Sequence, residues 1–246
     1  MVLPGLRSLP FWTSYDASSD TNRIAYQDPT LTHVVEHLQA NVETIRQEYH
    51  RVAPSLDSDY NQHDNEHSLH QGKWDWHSYM TKGVIQGQFA TKFPETTQIL
   101  QTLRQTLTAN TPKGEQPSWL LLENIPFGYS FFSTLHPQSS IQAHTSPMNL
   151  RWRIHLPLEV PANSNEIDDA DGMPLCGIRV GQQVQTWTQE KALVLDDSYD
   201  HEVWNRTNHK RVLFLLDIWH PDIPIKERKD IVGMFQHAQE QGWYSK

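Results

Sequence analysis

Leu150-Arg151-Trp152-Arg153-Ile154-His155-Leu156-Pro157-Leu158 is the stretch on which the reading of this chain turns. From Leu150 to Leu156 apolar and basic residues alternate strictly. At the two-residue period of a strand, Arg151, Arg153 and His155 fall on one face, and Leu150, Trp152, Ile154 and Leu156 on the other. Two readings stay open at this point. The basic face is either solvated, as on an ordinary amphipathic strand, or it lines an anion pocket inside a barrel, because a guanidinium matches a carboxylate bidentately. Alternation alone does not say which face is interior.

Outward from this stretch, further strand-like runs occupy Trp119–Leu122, Tyr129–Leu135, Gly177–Val180, Ala192–Leu195 and Arg211–Trp219, with Pro, Gly and Asn/Asp clusters between them. Short strands without long intervening helices predict an antiparallel sandwich or jelly roll. The acidic insert Ala162–Met173 reads as a surface loop. The first third is different. Apolar residues from Leu31 to Val52 recur at helical spacing until Pro54, a polar loop follows from Asp57 to His70, and Pro94–Leu107 is again helical. A last helix is expected within Ile223–Trp243. The organisation read from this is one catalytic domain over residues 1–246: a mostly helical support region to about residue 116, a jelly-roll core over about 117–222, and a C-terminal helix over about 223–246.

Composition narrows the function. Lys and Arg number 20 against 29 Asp and Glu, a net charge of −9, so the basic footprint of a nucleic-acid binder is missing. The one cysteine, Cys176, rules out an intramolecular disulfide framework and a multi-cysteine zinc site. No run approaches the roughly 20 apolar residues of a membrane span, and the N-terminus lacks the pattern of a signal peptide; a cytoplasmic protein is expected. Fourteen histidines direct attention to metal or acid–base chemistry.

Of these, His144 lies six residues before Leu150, and His201 lies in Asp196-Asp197-Ser198-Tyr199-Asp200-His201-Glu202. Two histidines from separate strands are what a non-haem iron site uses. The usual triad adds a carboxylate two residues after the first histidine, and that position here is Ser146. Spacing alone carries little, since fourteen histidines make many pairs. His33, His37, His50, His63, His67, His70, His77, His209 and His237 read as solvated.

HTSPMNLRWRIHLPL from His144, CGIRVG from Cys176, LVLDDSYDHEVWN from Leu193 and RVLFLLDIWHP from Arg211, in this order, resemble the aspartyl/asparaginyl β-hydroxylase family of Fe(II)/2-oxoglutarate oxygenases. Pro10–Thr13, Gly72-Lys73-Trp74 and Lys92–Thr96 extend the likeness upstream. The resemblance implies a mainly β fold with flanking helices, a cupin-like double-stranded β-helix, that binds Fe(II), 2-oxoglutarate and O2. It implies that His144 and His201 hold the iron, and that Ser146 replaces a Gly beside which water completes the shell. Arg211 and Ser133 would take the C5 carboxylate of 2-oxoglutarate, with Arg153 and His155 near its oxalyl end. Arg151 would meet a carboxylate or carboxamide of the substrate, with Trp74 as an aromatic wall. A second substrate-binding arginine, expected near Ser68-Leu69-His70-Gln71, is missing, as is the disulfide of the animal enzymes. The implied activity is hydroxylation of an unactivated C–H bond in a small-molecule or peptide substrate of amino-acid type. A halogenase using the vacant carboxylate position is the alternative, and a non-catalytic jelly-roll module the third reading.

Overall fold

The structure is a computed structural model, and it describes residues 1–16, 21–24, 28–61, 68–109 and 121–243. From the N-terminus, β1 (Thr13–Asp16) and β2 (Thr21–Ile24) precede α1 (Pro29–Ala40) and α2 (Val42–Val52). Next come β3 (Leu69–Gln71), β4 (Trp74–Thr81), β5 (Val84–Ile85), α3 (Gly87–Lys92) and α4 (Pro94–Ala109). The remaining strands are β6 (Ser130–Leu135), β7 (Ser139–His144), β8 (Arg151–Glu159), β9 (Cys176–Val180) and β10 (Gln183–Gln185). They continue with β11 (Leu193–Leu195), β12 (His201–Asn205) and β13 (Arg211–Trp219), before α5 (Ile225–Glu240).

Two antiparallel sheets face each other, in the order β11-β8-β13-β6-β4-β5 and β10-β9-β12-β7-β3, while β1 and β2 pair separately. This is the jelly roll, mainly β with flanking helices. Side-chain parity explains why it holds together. Trp152, Ile154, Leu156 and Leu158 of β8, with Val212, Phe214 and Leu216 of β13, point to one side of the six-stranded sheet. There they pack with Leu31, Leu38, Ile45 and Leu103 from the helices and with Phe93 between α3 and α4. Burying each such side chain contributes about 1.5–3 kcal/mol. The alternate residues Leu213 and Leu215 face the other sheet and meet Ile141, Ile178 and Val203. The basic face of β8 shares that interior. Eight of the nine residues of β8 are buried, so the face is not solvated.

Two details differ from the expected elements. The Leu31–Val52 run is interrupted at Asn41, whose amide N–H donates to Leu38 O and whose side chain donates to His37 O. These bonds cap α1, and the apolar stripe resumes in α2 with a shifted phase, which spacing over the whole run averages away. The segment 69–85 contributes β3, β4 and β5 to the two sheets, so strands of both come from the region read as mostly helical. Glu48, fully buried on α2, accepts the Glu95 and Thr96 amides at the start of α4 and so joins the helices to each other. Of the Trp119–Leu122 run, residues 119–120 lie outside the described residues, and Leu121 forms a single bridge to Ile218.

Candidate active site

β7 and β12 are hydrogen-bonded neighbours, and their register makes His144 and His201 direct cross-strand partners with ring centroids 4.1 Å apart. Each ring is fixed by the backbone just before it. His144 Nδ1 meets Gln142 O at 2.6 Å and His201 Nδ1 meets Tyr199 O at 2.9 Å. A carbonyl only accepts, so Nδ1 carries the proton and Nε2 keeps its lone pair. Burial lowers both pKa values. His201 falls to about 3, and the neighbouring His144 adds to the effect of burial. Two neutral imidazoles with their lone pairs at Nε2 suit a divalent transition metal. Among the described residues no group of three or more His, Cys, Asp or Glu converges as a metal site, so the pair has no third side-chain ligand. Ser146 is buried and its amide donates to Asp197 O at 2.8 Å.

Beside the histidines lies a fully buried quartet. Arg153 donates to Asp217 through Nε at 2.8 Å and Nη2 at 2.9 Å, and its Nη1 lies 3.2 Å from Asp197. Arg151 donates to Asp197 through Nε and Nη2, while Nη1 meets Phe127 O and lies 3.3 Å from Asp217. Two positive and two negative charges sum to zero, which is how buried charge is tolerated. Burial pushes the Asp197 carboxyl up, but Arg151 and Arg153 together hold it well below the usual range. Asp196 instead accepts Ser8 and Ser198, and Asp200 pairs with Arg179 at the surface.

Arg211 is also buried, at 1% exposure, yet no acid neutralises it among the described residues. Its Nη2 donates to Ser133 Oγ at 3.0 Å, its Nε has no partner among the described residues, and its guanidinium carbon sits 4.8 Å from the Trp187 ring centroid. Burial lowers its pKa to about 10. A buried guanidinium without a counter-ion is costly unless an anion arrives. Ser133 also receives the Trp74 indole N–H at 2.9 Å, and His155 Nδ1 receives the Trp187 indole N–H at 3.2 Å. Gly72 sets the approach of Trp74. Its φ is +83°, and a Cβ there would lie 2.0 Å from Ser139 Oγ, which accepts the Lys73 amide.

The fold therefore brings seven of the eight residues singled out in the sequence, Trp74, Ser133, His144, Arg153, His155, His201 and Arg211, around one narrow cavity between the sheets. Apolar side chains, among them Ile178, Leu213 and Leu215, complete its walls. Arg151 is not among the lining residues and lies behind Arg153 in the quartet. Trp187 and Asp217 were not singled out. Neither lies in a pattern that spacing detects, although Asp217 shares the inward parity of Arg211 on β13. Among the histidines read as solvated, His77 is buried, and His33 and His37 bond to Thr106 and Ile99 O of α4. His63 and His67 lie outside the described residues. A larger groove of about 620 Å3 crosses the outer face of β7 and β12, but Glu202 and Arg206 on its wall are paired with Arg179 and with Asp168 and Asp171.

The donors around this cavity fit the groups implied by the sequence. Two lone-pair imidazoles suit Fe(II), and an uncompensated buried arginine suits a dicarboxylate. The aspartyl/asparaginyl β-hydroxylase family model matches residues 39–221, and the chain belongs to that family. Over 227 residues it is 25% identical to a mouse aspartyl/asparaginyl β-hydroxylase, a match covering 92% of this chain and 25% of the relative. It is 35% identical over 105 residues to an ornithine lipid ester-linked acyl 2-hydroxylase of Rhizobium tropici, covering 42% of this chain and 34% of that one. The chain thus matches a quarter to a third of the length of these relatives. A solved oxidoreductase of the 2OG-Fe(II) oxygenase family from Burkholderia pseudomallei is 10% identical, with a TM-score of 0.45 over 79% of this chain and 91% of that one. Among the described residues no helix is long and apolar enough to cross a membrane.

Proposed function

We propose that this protein is an Fe(II)/2-oxoglutarate-dependent hydroxylase. The observation that carries the reading is Arg211, a buried cation without an acidic partner among the described residues, in the same cavity as a cross-strand pair of neutral histidines. His144 and His201 would hold iron through Nε2. Arg211 and Ser133 would take the distal carboxylate of 2-oxoglutarate, and Arg153 and His155 would lie at its other end. When bound, iron lets O2 oxidise two partners: 2-oxoglutarate gives succinate and CO2, and a substrate C–H becomes C–OH. The chain's own part is positioning and exclusion of water. The apolar walls keep the cavity dry, and the quartet holds Arg153 in place without adding net charge.

The substrate proposed is of amino-acid or peptide type, in keeping with the name of the mouse relative. Arg151, with its nitrogens on Asp197, Asp217 and Phe127 O, would serve it through Asp197 and Arg153 rather than as a free clamp. Halogenation is the second reading, favoured because among the described residues no carboxylate converges with the histidine pair on a common metal position. A succinate-release screen over free amino acids, peptides and acylated amino-acid lipids tests the function, with product mass measured with and without chloride. Substrate-dependent succinate with a 16-dalton gain supports the hydroxylase. Chloride incorporation moves the reading to halogenation, and no substrate-dependent turnover with any class counts against both.

A further inference from the structure

The two indoles at this cavity make one kind of contact, and it constrains where protons sit. An indole has one N–H and no acceptor, so its partner atom must offer a lone pair. Ser133 Oγ receives two such donors, Trp74 Nε1 at 2.9 Å and Arg211 Nη2 at 3.0 Å. Both lone pairs of the hydroxyl are then used, and its single proton has to be donated elsewhere. Among the described residues Ser133 donates to nothing, and the residue lines the cavity. His155 Nδ1 receives Trp187 Nε1 at 3.2 Å. That nitrogen is therefore deprotonated, the ring is neutral, and its proton is on Nε2. His155 makes no other hydrogen bond among the described residues and also lines the cavity. Burial and the neighbouring Arg211 and Arg153 keep the ring from gaining a second proton.

We infer that Trp74 and Trp187 are positioning residues that set the proton polarity of this pocket: by filling the acceptors of Ser133 and His155, they turn the Ser133 O–H, beside the Arg211 guanidinium, and the His155 Nε2–H into the cavity, so that away from the His144–His201 pair the pocket offers donors only and selects a fully deprotonated dicarboxylate over its monoamide. The inference rests on the 2-oxoglutarate reading of the cavity, and it adds a specificity device that the histidines and arginines do not explain. At the Ser133–Arg211 end an amide brings its own N–H donors to groups that only donate, whereas a carboxylate brings lone pairs only. Trp187 has a second part in the device. Its ring lies against Arg211 and stabilises the cation through its π face without neutralising it, so the charge stays available to the ligand. Both indoles are buried, Trp74 at 4% and Trp187 at 1% exposure.

The test uses Trp74→Phe and Trp187→Phe, which keep an aromatic ring in the core and remove the N–H together with part of the indole. Anaerobic titration of the Fe(II)-loaded protein with 2-oxoglutarate is expected to show about tenfold or more weaker binding in each variant, the range for a lost hydrogen bond to a charged partner. The preference over the C5 monoamide should shrink in parallel. Ser133→Ala should cost little more when added to Trp74→Phe than that variant costs alone, because the two changes remove the same donor. Independently, nitrogen-15 NMR of histidine-labelled metal-free wild type, with the His155 signals assigned through His155→Gln, should find the His155 proton on Nε2. A proton on Nδ1, or variants that fold as wild type and bind 2-oxoglutarate with unchanged affinity, would overturn the inference. Should a Phe variant fail to fold, the wild-type tautomer still decides the Trp187 contact. Wild type that binds no 2-oxoglutarate at all, yet carries the His155 proton on Nε2, would instead remove the cosubstrate reading.

Discussion

His144 and His201 face each other across β7 and β12, and the same contact, Nδ1 against the carbonyl two residues upstream, turns each ring the same way. The fold thus builds a two-histidine site by strand register and needs no distant support for either ring. Removing one imidazole leaves only one. His144→Ala and His201→Ala are each expected to weaken Fe(II) binding by more than about a hundredfold, since losing even an outer partner of a metal ligand costs about 10–100-fold. Equilibrium dialysis measures this, with circular dichroism showing an intact fold. Iron binding as in wild type by both variants would remove the pair as the metal site.

The Arg151–Asp197–Arg153–Asp217 quartet is balanced, so removing one member strands charge in the interior. Asp217→Asn should destabilise the protein by about 3–5 kcal/mol. Glu202→Gln breaks the half-exposed pair with Arg179 and should cost about 0–1 kcal/mol. Chemical denaturation of the two variants side by side checks the contrast, and equal losses would contradict it.

His155 and His220 are buried and have lowered pKa values; burial is the largest cause for both, and Arg211 and Arg153 add to it at His155. In the unfolded chain a histidine takes its proton near pH 6.5. Below that pH the unfolded state binds protons that the fold resists, so stability falls as pH falls, by at most about 1.4 kcal/mol per pH unit for each such group. The metal-free protein should therefore lose stability steeply between pH 6.5 and 5, and His155→Gln should flatten the slope by about one group's share. Denaturant midpoints across this range measure it. A flat profile would mean that these rings are protonated within the fold.

Much of this was legible in the chain, and the physical reasons differ from part to part. β8 and β13 announce themselves because both of their faces are buried, β8 through its alternation of basic and apolar residues and β13 as a nearly continuous apolar run. β7 does not, since Ser139-Ser140-Ile141-Gln142-Ala143-His144 has a single large apolar residue and reads as loop. β4 is obscured by a register shift between Ser78 and Met80, which breaks the alternation begun by Trp74 and Trp76. At the site, the resemblance implied separate roles for Arg151, Arg153 and Arg211, but not their charge balance: only the positions of Asp197 and Asp217 show that the first two are paired with acids while the third has none among the described residues. The Gly-Lys-Trp motif was visible without its reason, which is the contact of Gly72 with Ser139.

That contact gives a further prediction. Gly72→Ala adds a Cβ against Ser139 at a positive φ, whereas Gly5, at φ +85°, has nothing within 4 Å of the same atom. Gly5→Ala should cost only the backbone strain, about 1 kcal/mol, and Gly72→Ala should exceed it by about 2 kcal/mol or more. Thermal or denaturant unfolding compares them. Equal costs would show that Ser139 yields freely and that the motif does not fix Trp74.

In the function proposed, Arg211 receives a carboxylate of 2-oxoglutarate beside an iron held by His144 and His201. Calorimetric titration of the Fe(II)-loaded protein with 2-oxoglutarate, under nitrogen, compares wild type with Arg211→Ala. One binding site is expected in wild type and an affinity at least about tenfold weaker in the variant, the low end of what truncating one partner of a buried charge pair costs. Equal affinity in the two proteins, or no binding by iron-loaded wild type, would contradict that function.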